Sequence, residues 1–369
     1  MRKKELFPVI KASGTPYEIG YIHGSQAKEQ IDVSIATYKA MFWDYSGISW
    51  ENACRYATTF IPTIDEYDPD YMEEIRGIAD GSGYKLDEIL ALNVRSEIVL
   101  QGSQVESSID GGCTSFVFTP DMTATGTTLL GQNWDWKMTE QEGCIILYID
   151  QKDKPDITMV TEAGIIGKIG YNTAGLGVAL NALASDKKVE GKVLPLHIAM
   201  RGMLDSWTLS DMIRATTCMN LSCCAHFMIA SHKGEGVSLE IGPADFDALY
   251  AEDGWLVHTN HFIAPRLDYV KDTTRIALPD SFLRYGRIRK MIKDLNGSKV
   301  KISDIKTMLA DHTSYPDSIC RHEDMLEPEG KRLCTIFSII MDLERGEMFF
   351  APGNPCNTEY RLYRSVFGY

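Results

Sequence analysis

The residues best placed to do chemistry lie in "DGGCTSF", residues 110–116. A thiol, Cys113, follows two glycines directly and opens a strand-like run. A thiol there can attack the carbonyl of the residue before it, Gly112. Glycine tolerates the strained φ/ψ such an attack requires and puts no Cβ in the way. An N→S acyl shift followed by hydrolysis would separate 1–112 from 113–369 and leave Cys113 as a new N-terminus. The freed α-amine has a reference pKa of about 7.7–8.0, against about 10.4 for lysine. It is therefore suited to act as general base for its own thiol, with no separate histidine. Against this stands the ordinary use of cysteine as a small core hydrophobe, which the dipeptide alone favours.

The elements that must position this thiol change character at Cys113. Residues 1–107 read as largely helical. "TPYE" at 15–18 is a capping box, with Pro16 at the first helical position. Ile31, Ile35, Tyr38 and Phe42 form one apolar stripe. Further helices are predicted from Ser49, from Asp68–Pro69 to Gly81 and Gly83, and from Leu86. "QGSQVESSIDGG" (101–112) reads as an exposed loop. Beyond Cys113, short β-rich runs alternate with glycine turns. Helical segments follow at 196–206 and 208–218, then strands. Helical patches near 281–293 and 303–311 precede a hairpin, "CTIFSIIMDLERGEMFFAPG". Strands, helices and strands again, with few βαβ alternations, predict an α+β fold of layered antiparallel sheets flanked by helices.

The net charge of −14 argues against nucleic acid or an anionic membrane as partner, since both need a basic face. No apolar run is long enough for a transmembrane helix, and the N-terminus lacks the apolar core of a secretory signal. Nine scattered cysteines without a C-x-x-C spacing suit a reduced, cytoplasmic protein.

Several longer stretches occur in a telling order: "GTPYEIGYIHGSQAKEQI", "EEIRGIADGSGYKLDEILALN", "DGGCTSF", "GQNWDW", "TEAGIIGKIGYNTAGLGVALNAL", "VHTNHF", "SICRH" and "GKRLCTIF". Together they resemble the acyl-coenzyme A:6-aminopenicillanic acid acyltransferase (isopenicillin N acyltransferase) family, a branch of the N-terminal nucleophile hydrolases. The resemblance spans nearly the whole chain. It implies a four-layer αββα sandwich, with a helical pro-segment or small subunit at 1–112 and a catalytic large subunit at 113–369. It implies Cys113 as nucleophile, exposed by autoproteolysis after Gly112. Asp135 would orient or polarise the α-amine, and Asn260 would supply the oxyanion hole. Arg332 matches an active-site arginine, and Arg321 lies in another family block that would share its work. The implied activity is amide hydrolysis or acyl transfer on a small N-acylated amine or amino acid, through an acyl-cysteine. No cofactor and no metal are expected. The expected partners are a small amide or thioester substrate and the chain's own 1–112 fragment, and a homo-oligomer is compatible. "TPDMTATGTT", between Cys113 and Asp135, is slightly longer than in the fungal penicillin enzyme, and that enzyme's C-terminal peroxisomal address is missing.

Each site residue also has a plainer reading. Asp135, between Trp134 and Trp136, would otherwise be a turn residue, and Arg321 and Arg332 would be surface or ion-pair arginines. His258 and His261 have a spacing that suggests metal, but no third ligand is evident. "GIIGKIG" lacks the G-x-x-x-x-G-K-[ST] phosphate pattern. His23 packs or caps locally, and Asn172 and Asn181 suit either the cleft or turns. A non-catalytic binding protein that keeps the fold is the alternative function. A papain-like protease lacks its local signature.

Overall fold

Capping chemistry sets the helix boundaries in the N-terminal half of the computed structural model, which describes residues 6–102, 112–187, 189, 191–243 and 245–365. Glu18 N donates to Thr15 Oγ1 at 3.3 Å, and Thr15 N donates to Glu18 Oε2 at 2.8 Å, starting the helix Pro16–Gln26. Ser49 caps Trp50–Ala57 and Asp68 caps Pro69–Ser82. Gly83, at φ +77°, closes the latter in the left-handed conformation that glycine adopts at least cost. Ile31, Ile35, Tyr38 and Phe42 are all buried, as their period demands. A helix Arg95–Gly102 enters the segment expected to be a loop, and 103–111 lie outside the described residues.

The chain forms two compact units: 1–108, 139–174 and 189–223, then 109–138, 175–188 and 224–369. This division follows contacts in space. The expected boundary at 112/113 is one of covalent processing, so the two describe different properties.

In the first unit four strands lie in the order Val9–Gly14, Cys144–Gln151, Ile157–Glu162, Ile169–Asn172, with helices packed on them. Val9–Gly14 runs parallel to Cys144–Gln151, placing Ile10 opposite Leu147. The sequence reading missed this strand, because its partner lies far away along the chain. Pro16–Gln26 crosses Pro69–Ser82 through glycines on both helices. A Cβ on Gly20 would come within 1.9 Å of Glu74 O, and one on Gly77 within 2.1 Å of Tyr17 O. Gly24 and Gly81 repeat the pattern one turn on, so only bare backbones permit this approach. The same unit holds a buried ionic cluster. Glu162 pairs with Lys168 at 2.6 Å and Arg95 at 3.0 Å, and the Tyr38 hydroxyl donates to it. Burial pushes the Glu162 carboxyl up, but Arg95 and Lys168 more than offset it and hold it at about 2. Burial, then the Glu162 charge, pushes Glu140 up to about 8.

The second unit contains two antiparallel sheets. One runs Leu176–Ala182, Ala225–Ser231, Glu235–Gly242, Asp245–Tyr250. The other runs Trp255–His258, Thr114–Phe118, Leu129–Trp136, Cys334–Asp342, Glu347–Ala351, Arg361–Arg364. The Gln132 side chain clamps one sheet to the other. Its Nε2 donates to Leu180 O at 3.2 Å, and its Oε1 accepts from Leu180 N at 2.7 Å. The helices Asp280–Asp294 and Ile302–Leu309 cover the outer face of the six-stranded sheet, packing Ile288, Ile305 and Leu309 on Phe116, Phe118 and Ile340. The fold is α+β, and the layers of an αββα sandwich are present: helices on a sheet in the first unit, and two sheets with a helical layer in the second. No described helix is long and apolar enough to cross a membrane.

The glycine crossing yields a stability prediction. Gly77→Ala should cost about 1–3 kcal/mol in urea unfolding, the usual penalty of overpacking. Gly286→Ala, on a helix where an added Cβ meets nothing within 4 Å, should instead stabilise by about 0.4–1 kcal/mol.

Candidate active site

Strand pairing brings the expected residues together from distant parts of the chain. Cys113 is buried and precedes the strand Thr114–Phe118, which pairs with Leu129–Trp136 so that Thr114 faces Asn133. That second strand pairs in turn with Cys334–Asp342, placing Asp135 opposite Thr335. The "GQNWD" stretch then works by alternation. Gln132 faces the other sheet and makes the clamp described above. Asn133 points to the helical side and donates to Leu309 O and Ile319 O, both at 2.8 Å. Asp135 lies two residues on, on the same side.

Asp135 is fully buried, and its Oδ1 accepts from Thr335 Oγ1 at 2.6 Å. Its Oδ2 has no hydrogen bond among the described residues and faces Arg321 Nε at 3.4 Å. Burial pushes this carboxyl up to about 7, although Arg321, Arg284 and Thr335 pull the other way. Arg321 also pairs with Asp280 and Asp317. Its backbone is fixed on both sides of Thr335: Arg321 N donates to Thr335 Oγ1 and Thr335 N donates to Arg321 O, each at 3.0 Å. Gly112 lies directly against this guanidinium, where an added Cβ would fall 2.3 Å from Arg321 Nε. A larger residue there would have to displace that guanidinium.

Arg284 joins this cluster, and the sequence reading missed it. It lies one helical turn after Asp280, and its Nε donates to Asp280 Oδ2 at 2.7 Å. From there Nη1 donates to Cys113 O at 2.7 Å and Nη2 to Asn260 Oδ1 at 3.0 Å. Burial opposes the charge on Asp280, but Arg284 and Arg321 more than offset it and hold that carboxyl below its usual range. The only sequence signal was an Asp–Arg pair at i, i+4, which surface helices also carry.

Asn260 Nδ2 donates to Ala182 O at 3.1 Å, and its backbone N donates to Ser281 Oγ at 2.8 Å. Asn181 also belongs to this cluster. Its Nδ2 donates to Cys113 O at 3.0 Å, and its Oδ1 accepts from Ser115 Oγ at 2.5 Å. Asn172 instead donates to Leu204 O and Ser206 O, holding a turn in the first unit. Arg332 stands apart from the cluster. Its guanidinium donates to Glu327 O at 2.9 Å and to Met325 O at 3.5 Å, in its own loop. Of the two arginines expected at the site, Arg321 is the one that meets Asp135. His258 bonds Glu240 Oε1 at 2.7 Å and His261 bonds Ser281 Oγ at 2.8 Å, so each is engaged separately. Burial pushes the Cys54 and Cys224 thiols up to about 12, which keeps them protonated and unreactive. A cleft of about 620 Å³ in the first unit, near Glu18, Lys154 and Arg201, shares no lining residue with the Cys113 cluster.

Cys113 precedes one strand, Asp135 lies near the end of the next, and Arg284 from a helix and Arg321 from a loop meet them in one buried cluster of the second unit. Comparison with known proteins gives the family. The chain belongs to the acyl-coenzyme A:6-aminopenicillanic acid acyl-transferase family, whose model matches residues 122–357. It is 32% identical over 352 residues to the Emericella nidulans acyl-coenzyme A:6-aminopenicillanic-acid-acyltransferase 40 kDa form, covering 95% of this chain and 94% of that one. Among solved structures it is similar to a mutant conjugated bile acid hydrolase from Clostridium perfringens, at 15% identity and TM-score 0.46, over 68% of this chain and 96% of that one. It is also similar to penicillin V acylase from Agrobacterium tumefaciens, at 12% identity and TM-score 0.45, over 65% of this chain and 83% of that one.

The raised Asp135 carboxyl has a measurable consequence. The folded protein holds a proton there that the unfolded chain has already lost. Stability from this group is fully present below the ordinary carboxylate range and is lost as pH rises through about 7. In uncleaved Cys113→Ala protein, relative to the same chain carrying Asp135→Asn, a few kcal/mol of unfolding free energy should therefore be lost between about pH 5 and about pH 8, at about 1.4 kcal/mol per pKa unit. Urea titrations of both proteins across that range measure it.

Proposed function

We propose that the chain is an autoproteolytically activated amidohydrolase with an N-terminal cysteine nucleophile. It would cleave the acyl group from a small N-acylated amine or amino acid, and pass it to an amine where one competes with water. The observation that carries this reading is the junction itself: Gly112 pressed on Arg321, Cys113 O held by Arg284 and Asn181, and Asp135 beside them.

In the processing step the Cys113 thiol attacks the Gly112 carbonyl carbon. The peptide C–N bond breaks, its nitrogen takes a proton, and a thioester to Gly112 forms. Water then hydrolyses that ester, leaving a Gly112 carboxylate, a free thiol and the α-amine of Cys113. Two cations, Arg284 and Arg321, favour the thiolate. Asp135 Oδ2 has no hydrogen-bond donor among the described residues and is available to hold the new ammonium group.

With substrate, the thiolate attacks an amide or thioester carbonyl and the α-amine carries the proton to the leaving group. Asn260 Nδ2 is the proposed oxyanion donor, turning from Ala182 O to the developing charge. Losing such a donor typically costs about 10²–10³ in rate. Membership of the family supports a penicillin-like, β-alanyl or acyl-amino-acid amide as the proposed substrate class.

The expected products of maturation are fragments of about 12 and about 29 kDa, in proportion to chain length from 41.3 kDa. Cys113→Ala should remain one band and hydrolyse no amide. Gly112→Ala should fold but process slowly, because the new Cβ must displace a guanidinium held by three carboxylates. Edman sequencing of the larger fragment should begin Cys-Thr-Ser. An uncut wild-type protein with an unreactive Cys113 would leave the fold-retaining binding protein as the reading. A panel of N-acyl amides with and without 6-aminopenicillanic acid separates hydrolysis from transfer.

A further inference from the structure

The loop after Ile302–Leu309 and the turn after Glu347–Ala351 bring together four side chains that the acyl chemistry does not use. The Nε2 or Sγ atoms of His312, Cys320, His322 and Cys356 all lie within 4.8 Å of one another. The two Nε2 atoms are 3.1 Å apart. His322 Nε2 is 3.7 Å from Cys320 Sγ and 3.5 Å from Cys356 Sγ. Two imidazoles facing each other need no ion, since opposite tautomers make one hydrogen bond. Two thiols converging on the same nitrogen are not explained that way.

Tetrahedral coordination does explain them. Zinc bonds of about 2.0–2.1 Å to nitrogen and about 2.3 Å to sulfur require ligand–ligand edges of about 3.3 Å (N–N) and about 3.6 Å (N–S). The three edges that meet at His322 Nε2 lie within about 0.2 Å of these values, and the remaining ones stay within 4.8 Å. The donor set also selects the metal. Two thiolates and two imidazoles suit zinc-class ions and exclude magnesium and calcium, which take oxygen. A supporting hydrogen bond is present as well: Asn354 Nδ2 donates to Cys320 Sγ at 3.6 Å and to Arg321 O at 2.7 Å.

We propose that His312, Cys320, His322 and Cys356 bind one zinc-class divalent ion, which ties the 312–322 loop to the turn at Cys356. The two thiols release their protons to solvent as the metal–sulfur bonds form. The position in the fold gives the ion a purpose. Cys320 and His322 flank Arg321, so fixing both fixes the backbone from which that guanidinium reaches Asp135 and Asp280. The ion is thus a positioning device for the proposed active site and takes no part in bond making. Binding itself does not depend on the acyl-transfer reading, because it is read without substrate.

No metal was expected from the sequence, where only His258 and His261 were weighed; these four ligands have no finger-like spacing, and Cys356 joins the others only through the fold.

The test uses the full chain purified without chelator from zinc-supplemented medium. Elemental analysis should find about one zinc per chain. Exchange for Co²⁺ should produce visible d–d bands and a near-ultraviolet thiolate charge-transfer band. Cys356→Ser and His312→Ala, both at exposed positions, should each weaken metal retention at least tenfold while leaving the circular dichroism spectrum unchanged. Cys113→Ala should keep the full metal content, which separates this site from the proposed nucleophile. Zinc content in Cys356→Ser equal to wild type would overturn the proposal. So would protein that retains no zinc after incubation with excess zinc and gel filtration. A Cys320–Cys356 disulfide found by non-reducing peptide mapping of freshly purified protein would overturn it in favour of a redox pair.

Discussion

One carboxylate oxygen holds the candidate site together. Asp280 Oδ2 accepts from Arg284 Nε and from Arg321 Nη2, so two buried guanidinium groups share one buried anion. A buried charge is costly unless it is paired and hydrogen-bonded, and removing one partner leaves the other stranded. Each arginine therefore has little freedom, and each directs a further nitrogen at the site, while Arg321 also holds Asp317. Arg284 reaches Cys113 O and Asn260 Oδ1, and Arg321 reaches Asp135. The helix Asp280–Asp294 thus does more than cover a sheet, because its first turn sets where two cations can stand.

The remainder of the second unit keeps that arrangement rigid. Gln132 locks one sheet to the other through the Leu180 backbone, and Asn133 locks the strand to the last carbonyl of the helix Ile302–Leu309 and to a loop carbonyl at Ile319. These buried amides satisfy backbone groups that would otherwise be unpaired. Asp135, on the same strand, inherits a fixed position from them. A carboxyl forced to remain there without full compensation titrates near neutrality, where a proton acceptor or ammonium partner is useful.

The first unit solves a different problem by similar means. Its two glycine-bearing helices approach closely enough for backbone to meet backbone, and its ionic cluster balances Glu162 against Lys168 and Arg95. Their residues account for two of the long motifs, "GYIHGSQ" and "EEIRGIADGSG", in terms of packing. Motif length is therefore a poor guide to which residues do chemistry in this chain.

Local pattern was enough to read most helices, since caps at Thr15, Ser49 and Asp68 and the stripe from Ile31 to Phe42 are written in neighbouring residues. The break at Cys113 and the hairpin near the C-terminus were legible for the same reason. The strand Val9–Gly14 was not, because its identity depends on a partner at Cys144–Gln151. Among site residues, Cys113, Asp135, Asn260 and Arg321 stood out through motif resemblance, and the fold gathers them. Arg284 carried no distinguishing local signal, Asn181 suited cleft and turn equally, and Arg332 is bonded to its own loop instead. The four metal-ligand candidates were invisible for the reason that hid Arg284. Sequence by itself determined which segments coil, which extend and where a thiol follows glycine, because those depend on neighbours in the chain. Only tertiary structure decided which charges and donors meet, because burial makes partners of residues that the chain keeps far apart.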